Sequence, residues 1–279
     1  MKVKGLNIKG KLFSLDKPVV MGILNVTPDS FYADSRQRNE ATVIKRIETI
    51  ISEGGAIIDI GGYSSRPGAA EATPEEEWSR LKPALKILED GFPEIPVSVD
   101  TFRADIAKRA VEEYGVSIIN DISGGAIDEK MFGTVAALNV PYILMHMRGV
   151  PQTMQQYVHY GDLPEEVMLY FAEKLQMLRL LGVKDVIIDP GFGFSKTLDQ
   201  NYELMGYLNN FSVILECPLL VGVSRKRMIY SLLDSTVEES LNGTTVLNTY
   251  SLLNGADILR VHDVKAAVEA VKIVDKLKG

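Results

Sequence analysis

The chain has 279 residues, 46 % hydrophobic and 24 % charged, with a formal net charge of −7 and a single cysteine. One Cys217 excludes an intramolecular disulfide framework and any multi-thiolate metal site, so a reducing cytosol is the expected compartment. An acidic balance without a basic run argues against nucleic acid, and no apolar stretch approaches the ~20 residues of a membrane span, which leaves a small molecule as the expected partner.

The opening "MKVKGLNIKGKLF" lacks the apolar h-region of a signal peptide. Residues 3–15 have strand character with a turn at Gly10-Lys11, which predicts a hairpin. Short runs rich in Val and Ile then recur: "VVMGILNV" (19–26), "AIIDIGG" (56–62), "PVSVDT" (96–101), "SIINDIS" (117–123), "PYILMHM" (141–147), "VIIDPGF" (186–192), "PLLVGVS" (218–224) and "DILRVHD" (257–263). Continuous apolar runs, rather than strict alternation, indicate strands covered on both faces, as in a parallel sheet.

Helical patterns lie between them. "EATVIKRIETIISEGG" sets Val43, Ile44, Ile47, Ile50 and Ile51 along one stripe, with Gly54-Gly55 as its stop. "TPEEEWSRLKPALKILEDG" opens with a Thr73 cap, Pro74 at the first helical position and Glu76 completing a capping box. "LPEEVMLYFAEKLQMLRLLG" stops at Gly182, and "TVEESLNGTTVLNTYSLLNG" starts at Thr236 with Glu239 and stops at Gly255. Eight strands alternating with helices, without a linker or composition break, predict one (β/α)8 TIM barrel over residues 1–279, the hairpin covering its lower end. An open doubly wound sheet is the alternative, because strand number alone does not prove closure.

In such a barrel the active site is built at the C-terminal strand ends. Those ends carry Asn25, Asp59, Asp100, Asn120-Asp121, His146 and Arg148, Asp189, Ser224-Arg225-Lys226, and Arg260 with His262. One strand-end Asp is ordinarily a turn-former or a helix cap. Four carboxylates and two amides meeting at one mouth are a binding set, since burial without partners costs several kcal/mol per group. They suit a flat heterocycle with N–H donors and a carbonyl: Asp189 accepts two parallel hydrogen bonds, and Asn120 both donates and accepts. Arg225, Lys226, Arg260, His262 and, on the loop after the second strand, Arg66 gather where barrels bind phosphate. The loops 25–36 and 61–74 are long, aperiodic and rich in Ser, Gly and Pro, as mobile lids are. The three His show no metal-ligand spacing. His146 is placed near the mouth, His159 on the surface, and Cys217 in the core.

Taken together, "GILNVTPDSF", "DIGGYSSRPG", "SVDT", "IINDISGG", "LMHMRG", "DPGFGF", "GVSRKR" and "LRVHDV" resemble the dihydropteroate synthase family of pterin-binding enzymes. The matches run in order from about residue 19 to residue 265, one per strand. The resemblance implies a (β/α)8 barrel, Mg²⁺ dependence and commonly a homodimer. It implies condensation of 6-hydroxymethyl-7,8-dihydropterin diphosphate with 4-aminobenzoate to 7,8-dihydropteroate and diphosphate. Carried over by position, Asp100, Asn120, Asp189 and Lys226 hold the pterin, beside Met145 and Phe194. Asn25 ligates Mg²⁺; Arg260, His262 and Ser65 hold the diphosphate; Ser224 and Lys226, with Arg66 and Pro67, form the aminobenzoate pocket. The catalytic set is thus Asn25, Lys226, Arg260 and His262.

Many members have "GGESTRPG" where this chain has "GGYSSRPG": Ser65 keeps a hydroxyl, whereas Tyr63 loses a charge, which puts the role of that Glu in doubt here. The rival readings are a non-catalytic pterin-binding paralogue and a methyltransferase acting on a methylated folate. The latter needs neither the Asn25 metal position nor the "SSRPG" anion loop. A phosphosugar barrel lacks the Asp/Asn ring.

Overall fold

The structure, a computed structural model, describes residues 4–27, 36–64 and 72–278. A hairpin, β1 (Gly5–Ile8) and β2 (Lys11–Ser14), precedes eight parallel strands: β3 (Val19–Asn25), β4 (Ile57–Gly61), β5 (Val97–Asp100), β6 (Ile118–Asp121), β7 (Tyr142–Met145), β8 (Val186–Asp189), β9 (Leu220–Val221) and β10 (Ile258–Val261). The helices are α1 (Arg36–Ser52), α2 (Pro74–Gly91), α3 (Ala104–Tyr114), α4 (Met131–Leu138), α5 (Leu163–Leu180), α6 (Leu198–Gly206), α7 (Leu208–Leu215), α8 (Arg227–Leu232), α9 (Leu241–Leu253) and α10 (Val264–Lys278).

The sheet runs β8-β7-β6-β5-β4-β3-β10-β9. Its two ends meet, because Ile188 bridges Leu219 in parallel and its N–H donates to Pro218 C=O at 2.9 Å. Closure excludes the open doubly wound sheet. The last contact is short, since β9 holds only two residues of the longer run read from sequence. Beyond it the Ser224 hydroxyl accepts from His262 N–H at 3.1 Å, so a side chain takes over from the ladder.

Side chains alternate between the two surfaces of the barrel wall with the strand period of two. Ile58, Ile60, Val99, Ile119, Tyr142, Leu144, Ile188, Val221 and Leu259 pack outward against the helices. Met21, Ile57, Ile118, Ile143, Ile187, Leu220 and Ile258 form the lower interior layer, onto which the hairpin lays Leu6, Ile8 and Leu15. The hairpin therefore plugs the N-terminal end of the barrel and leaves the other end for chemistry. Its turn is Lys9-Gly10, with φ of 51° and 81°, not Gly10-Lys11: a two-residue hairpin loop needs positive φ at both central positions.

Caps define several helix starts. Thr73 and Glu76 form the reciprocal capping box of α2, and Asp162 caps α5. The α1 stripe is narrower than the pattern indicated. Val43, Ile47 and Ile50 are buried, whereas Ile44 and Ile51 lie at its exposed margins. Thr236 and Glu239 exchange capping hydrogen bonds, yet they open a 3₁₀ turn, Glu238–Ser240, before α9 begins. Among the described residues no helix is long and apolar enough to cross a membrane.

Candidate active site

Alternation decides which strand tips face inward. Asn25 ends β3 two residues past Ile23, beside Gly61 of β4. Asp59 and Asp100 lie on the interior surface of β4 and β5, one layer apart, and Asp100 is in register with Asn120. Met145 is in register with Asp189 on the next pair. Arg260 is the inward residue of β10, and His262 follows two residues later at its end. The inward set is therefore Asn25, Asp59, Asp100, Asn120, Met145, Asp189, Ser224, Arg260 and His262.

Arg260 organises this cup. Its Nε donates to Asp59 Oδ2 at 2.6 Å and its Nη2 to Asp100 Oδ2 at 2.8 Å. Asn120 Nδ2 donates to the same Asp59 oxygen at 3.1 Å, while buried Asp59 Oδ1 has no hydrogen-bond partner among the described residues. Burial opposes the guanidinium charge, but Asp59, Asp100 and Asp189 together hold it above its ordinary range. Burial pushes Asp100 up to about 7 against the pull of Arg260, with Asp59 adding to the rise.

Asp189 closes the opposite side. One of its oxygens accepts the Gly191 N–H at 2.8 Å, which leaves lone pairs for a ligand. Burial raises its carboxyl, and Lys226, the Gly191 N–H and Arg260 oppose the rise. Lys226 stands at the head of α8, donates to Phe192 C=O, and holds its ammonium 4.7 Å from the Phe194 ring centre. Burial brings Lys226 down to about 8 despite Asp189. Met145 and Phe194 join Phe102, Ile122, Met147, Met154 and Tyr63 in one apolar cluster at the mouth. Polar atoms around an apolar wall suit a flat, hydrogen-bonding ring.

The corner expected to take the anion lies between β3, β9 and β10. His262 is drawn down to about 4 by burial, then by Arg260 and Arg46, so it is neutral near pH 7 in this state. Arg46 reaches from α1 to donate to His262 C=O at 2.7 Å and to Ile23 C=O at 3.2 Å, bracing the seam where Asn25 and His262 stand.

Three strand-tip residues do not join the cup. Asp121 faces outward, because it is one residue past Asn120. It accepts from Ser123 N–H and Oγ at 2.7 Å each, from Gly125 N–H at 2.8 Å and from Tyr142 OH at 2.7 Å. It is a turn-former, so three carboxylates rather than four line the interior. Arg225, at φ 55°, forms a bidentate pair with Asp263 at 2.8 and 2.9 Å instead of offering a free charge. Arg148 pairs with Glu166 and stacks 3.9 Å from the Tyr160 ring centre. Ser65, Arg66 and Pro67 lie outside the described residues. His146 is buried beside the mouth, His159 is exposed, and Cys217 is buried, as expected.

Several functional neighbours were not legible beforehand. Tyr63 packs edge-on to Phe102 at 5.0 Å and its hydroxyl accepts from Gln152 Nε2 at 2.6 Å, a neutral clasp between the segments after β4 and β7. Buried Glu77 of α2 pairs with Arg103, whose second arm reaches Ala72 C=O at 2.5 Å, and Arg80 donates to Gly62 C=O at 3.1 Å. Lys196 is buried against His146 with its ammonium 3.0 Å from Nδ1. Glu77 and Arg80 lie on a charged helix and Arg103 and Lys196 in short connecting segments, all of which read as solvated, so only the Tyr63 departure carried a signal.

Comparison with known proteins agrees with this geometry. A family described as "Pterin binding enzyme" matches residues 21–262. The chain is 41 % identical over 261 residues to the dihydropteroate synthase of Synechocystis sp., covering 92 % of this chain and 89 % of that protein. It is also similar to the Yersinia pestis dihydropteroate synthase solved as a sulfonamide drug complex, at 37 % identity and a TM-score of 0.90, over 98 % of this chain and 99 % of that one. The Xanthomonas albilineans dihydropteroate synthase solved with 4-aminobenzoic acid gives 35 % identity and a TM-score of 0.88, over 100 % and 99 %. On the strength of the match across its barrel strands, the chain belongs to the pterin binding enzyme family, among the dihydropteroate synthases.

Proposed function

We infer that the chain condenses 6-hydroxymethyl-7,8-dihydropterin diphosphate with 4-aminobenzoate, giving 7,8-dihydropteroate and diphosphate, and so serves folate biosynthesis as a dihydropteroate synthase. The observation that carries this reading is the cup itself: Asp100, Asn120 and Asp189 share one interior with Lys226, Arg260 and His262. Pterin N–H groups and carbonyl meet the carboxylates, the Asn120 amide and the Lys226 ammonium, with Met145 and Phe194 beside the ring. The aminobenzoate pocket is assigned to Ser224 and Lys226 with Arg66 and Pro67.

The reaction is a substitution at the pterin methylene. The C–O bond breaks with its electron pair leaving on diphosphate, and the electron-rich pterin shares the positive charge left behind. Asp100 and Asp189 favour that charge, while Arg260 and His262, with Ser65, meet the charge growing on the leaving group. The neutral arylamine then forms the new C–N bond and loses one proton to solvent. It needs no strong base, and none is assigned.

A divalent cation fits the donor set. Among the described residues no group of three or more His, Cys, Asp or Glu could hold a metal. Asn25 offers one hard amide oxygen at the end of β3, beside Gly61, and would be the residue that holds a Mg²⁺ ion there, since Mg²⁺ needs few protein ligands. When bound, Mg²⁺ supplies neutralisation of the departing diphosphate.

The protein is proposed to act as a homodimer in the cytoplasm. Val246, Tyr250 and Leu253 stand exposed along one side of α9, next to exposed Ile273 and Leu277 of the adjoining α10, an apolar surface of the kind that self-association covers. The direct test mixes both substrates with Mg²⁺ and follows diphosphate release. Release dependent on both Mg²⁺ and 4-aminobenzoate is expected, and a protein that binds the pterin without turnover overturns the catalytic reading. Aminobenzoate is expected to bind only after diphosphate and Mg²⁺, so equal affinity without them rejects that order.

A further inference from the structure

We infer that Lys196 is a positioning residue for the pterin pocket: its ammonium ties the end of β7 to the loop after β8 and so sets where Asp189 and Phe194 stand. This rests on the assignment of Asp189 and Phe194 to the pterin.

Lys196 is only 3 % exposed, and its Nζ lies 3.0 Å from each of three acceptors, His146 Nδ1, Gly191 C=O and Phe194 C=O. An ammonium has three donors and no acceptor, so the set is complete. No carboxylate of the described residues lies within ion-pair distance of it. A buried cation whose direct partners are all neutral, with the Asp189 charge acting on it from beyond ion-pair distance, is a poor stabiliser, and an apolar side chain of similar volume fills the same space without desolvation. Its presence here therefore calls for a reason outside bulk stability.

The loop geometry supplies one. Gly191 is held from both sides: its N–H donates to Asp189 Oδ1 at 2.8 Å and its C=O accepts from Lys196. It runs at φ 71° so close to β7 that a Cβ would stand 2.0 Å from His146 C=O. Phe194 is held by its C=O, while its ring lies under the Lys226 ammonium. Lys196 is thus one peptide group from the carboxylate that reads the ring and one from the ring's apolar wall. His146 must present a bare Nδ1 to the ammonium, and burial, Lys196 and Arg148 all favour its neutral form. Its ring is seated edge-to-face on Tyr170 at 4.8 Å, so this acceptor does not wander.

The test compares the wild-type protein with Lys196→Met, His146→Leu, the double variant and Asp189→Ala. Calorimetry measures affinity for 6-hydroxymethyl-7,8-dihydropterin, and steady-state kinetics separates kcat from each KM. Lys196→Met is expected to weaken pterin binding about 30-fold, the scale of a lost charged hydrogen bond, with kcat at saturation changed less than about threefold and the aminobenzoate KM unmoved. His146→Leu is expected to lose about fivefold, and the double variant to match Lys196→Met alone, because both act through one tie. Unchanged pterin affinity in either folded single variant overturns the inference, as does a loss shared equally by both substrates. Should Lys196→Met not fold, His146→Leu decides the matter. Asp189→Ala is the separate arm: if it leaves pterin affinity intact, the pocket assignment fails rather than the tie.

Discussion

Arg260 and Asp59 are joined across β3, Nε to Oδ2 at 2.6 Å, and the same carboxylate oxygen accepts the Asn120 amide. One buried carboxylate thus orients both a cation and the amide of Asn120. Asp59→Ala removes the acceptor for both and leaves Arg260 with Asp100 alone. The expected cost is about 3 kcal/mol of stability, from a broken buried pair, read by urea denaturation. Steady-state kinetics should show kcat/KM lower by about 100-fold, the scale of one misplaced electrostatic group.

The Gly191 N–H fixes the orientation of Asp189, whose remaining lone pairs are the ones proposed to take the pterin. Asp189→Ala is expected to weaken pterin binding by about 100-fold or more, the size of two charge-assisted hydrogen bonds, with far less effect on aminobenzoate. Calorimetric titration with the pterin checks it, and an affinity equal to wild type rejects the assigned role.

His262 stands at about 4 because burial, Arg260 and Arg46 all disfavour its protonated form. A bound diphosphate reverses the field of those arginines and raises the imidazole. At pH 6 the free protein holds this group neutral, so binding should take up a proton. Calorimetry of diphosphate binding in buffers of different ionisation enthalpy measures the uptake. The His262→Gln variant should lose it.

Lys196 and Lys226 are drawn down to about 7 and about 8, each by burial first, from the ordinary lysine value of 10.5. Between those values and 10.5 the unfolded chain binds more protons at these positions than the folded one, so their contribution to stability rises with pH. Below about 7 both states are protonated and the desolvation cost is present in full. Urea midpoints recorded from pH 7 to pH 9.5 should therefore carry an upward term, at most about 1.4 kcal/mol per pH unit for each lysine. Lys196→Met should flatten it, and a slope identical to wild type counts against the burial of this charge.

Much of the barrel was legible because its signals are local. Val and Ile runs, the Thr73–Glu76 box and the glycine stops each lie within a few residues of what they specify. The cup was legible for the same reason, since inward residues recur at every second position and the strand tips announce themselves. Asp121 shows the limit. It stands beside Asn120 in the chain, and a shift of one residue turns it to the other surface of the wall.

The sequence by itself determined the alternation of strands and helices, the family pattern and most residues of the mouth, because periodicity and turn chemistry act between near neighbours. Only the tertiary structure decided how the charges pair. Arg225 is taken by Asp263, Arg260 by Asp59 and Asp100, and Glu77 by Arg103. Lys196, ordinary in the sequence, becomes a desolvated tie between two strands. Pairing and desolvation depend on which side chains meet after the chain closes on itself, and residues 26 to 201 positions apart carry no mark of that meeting.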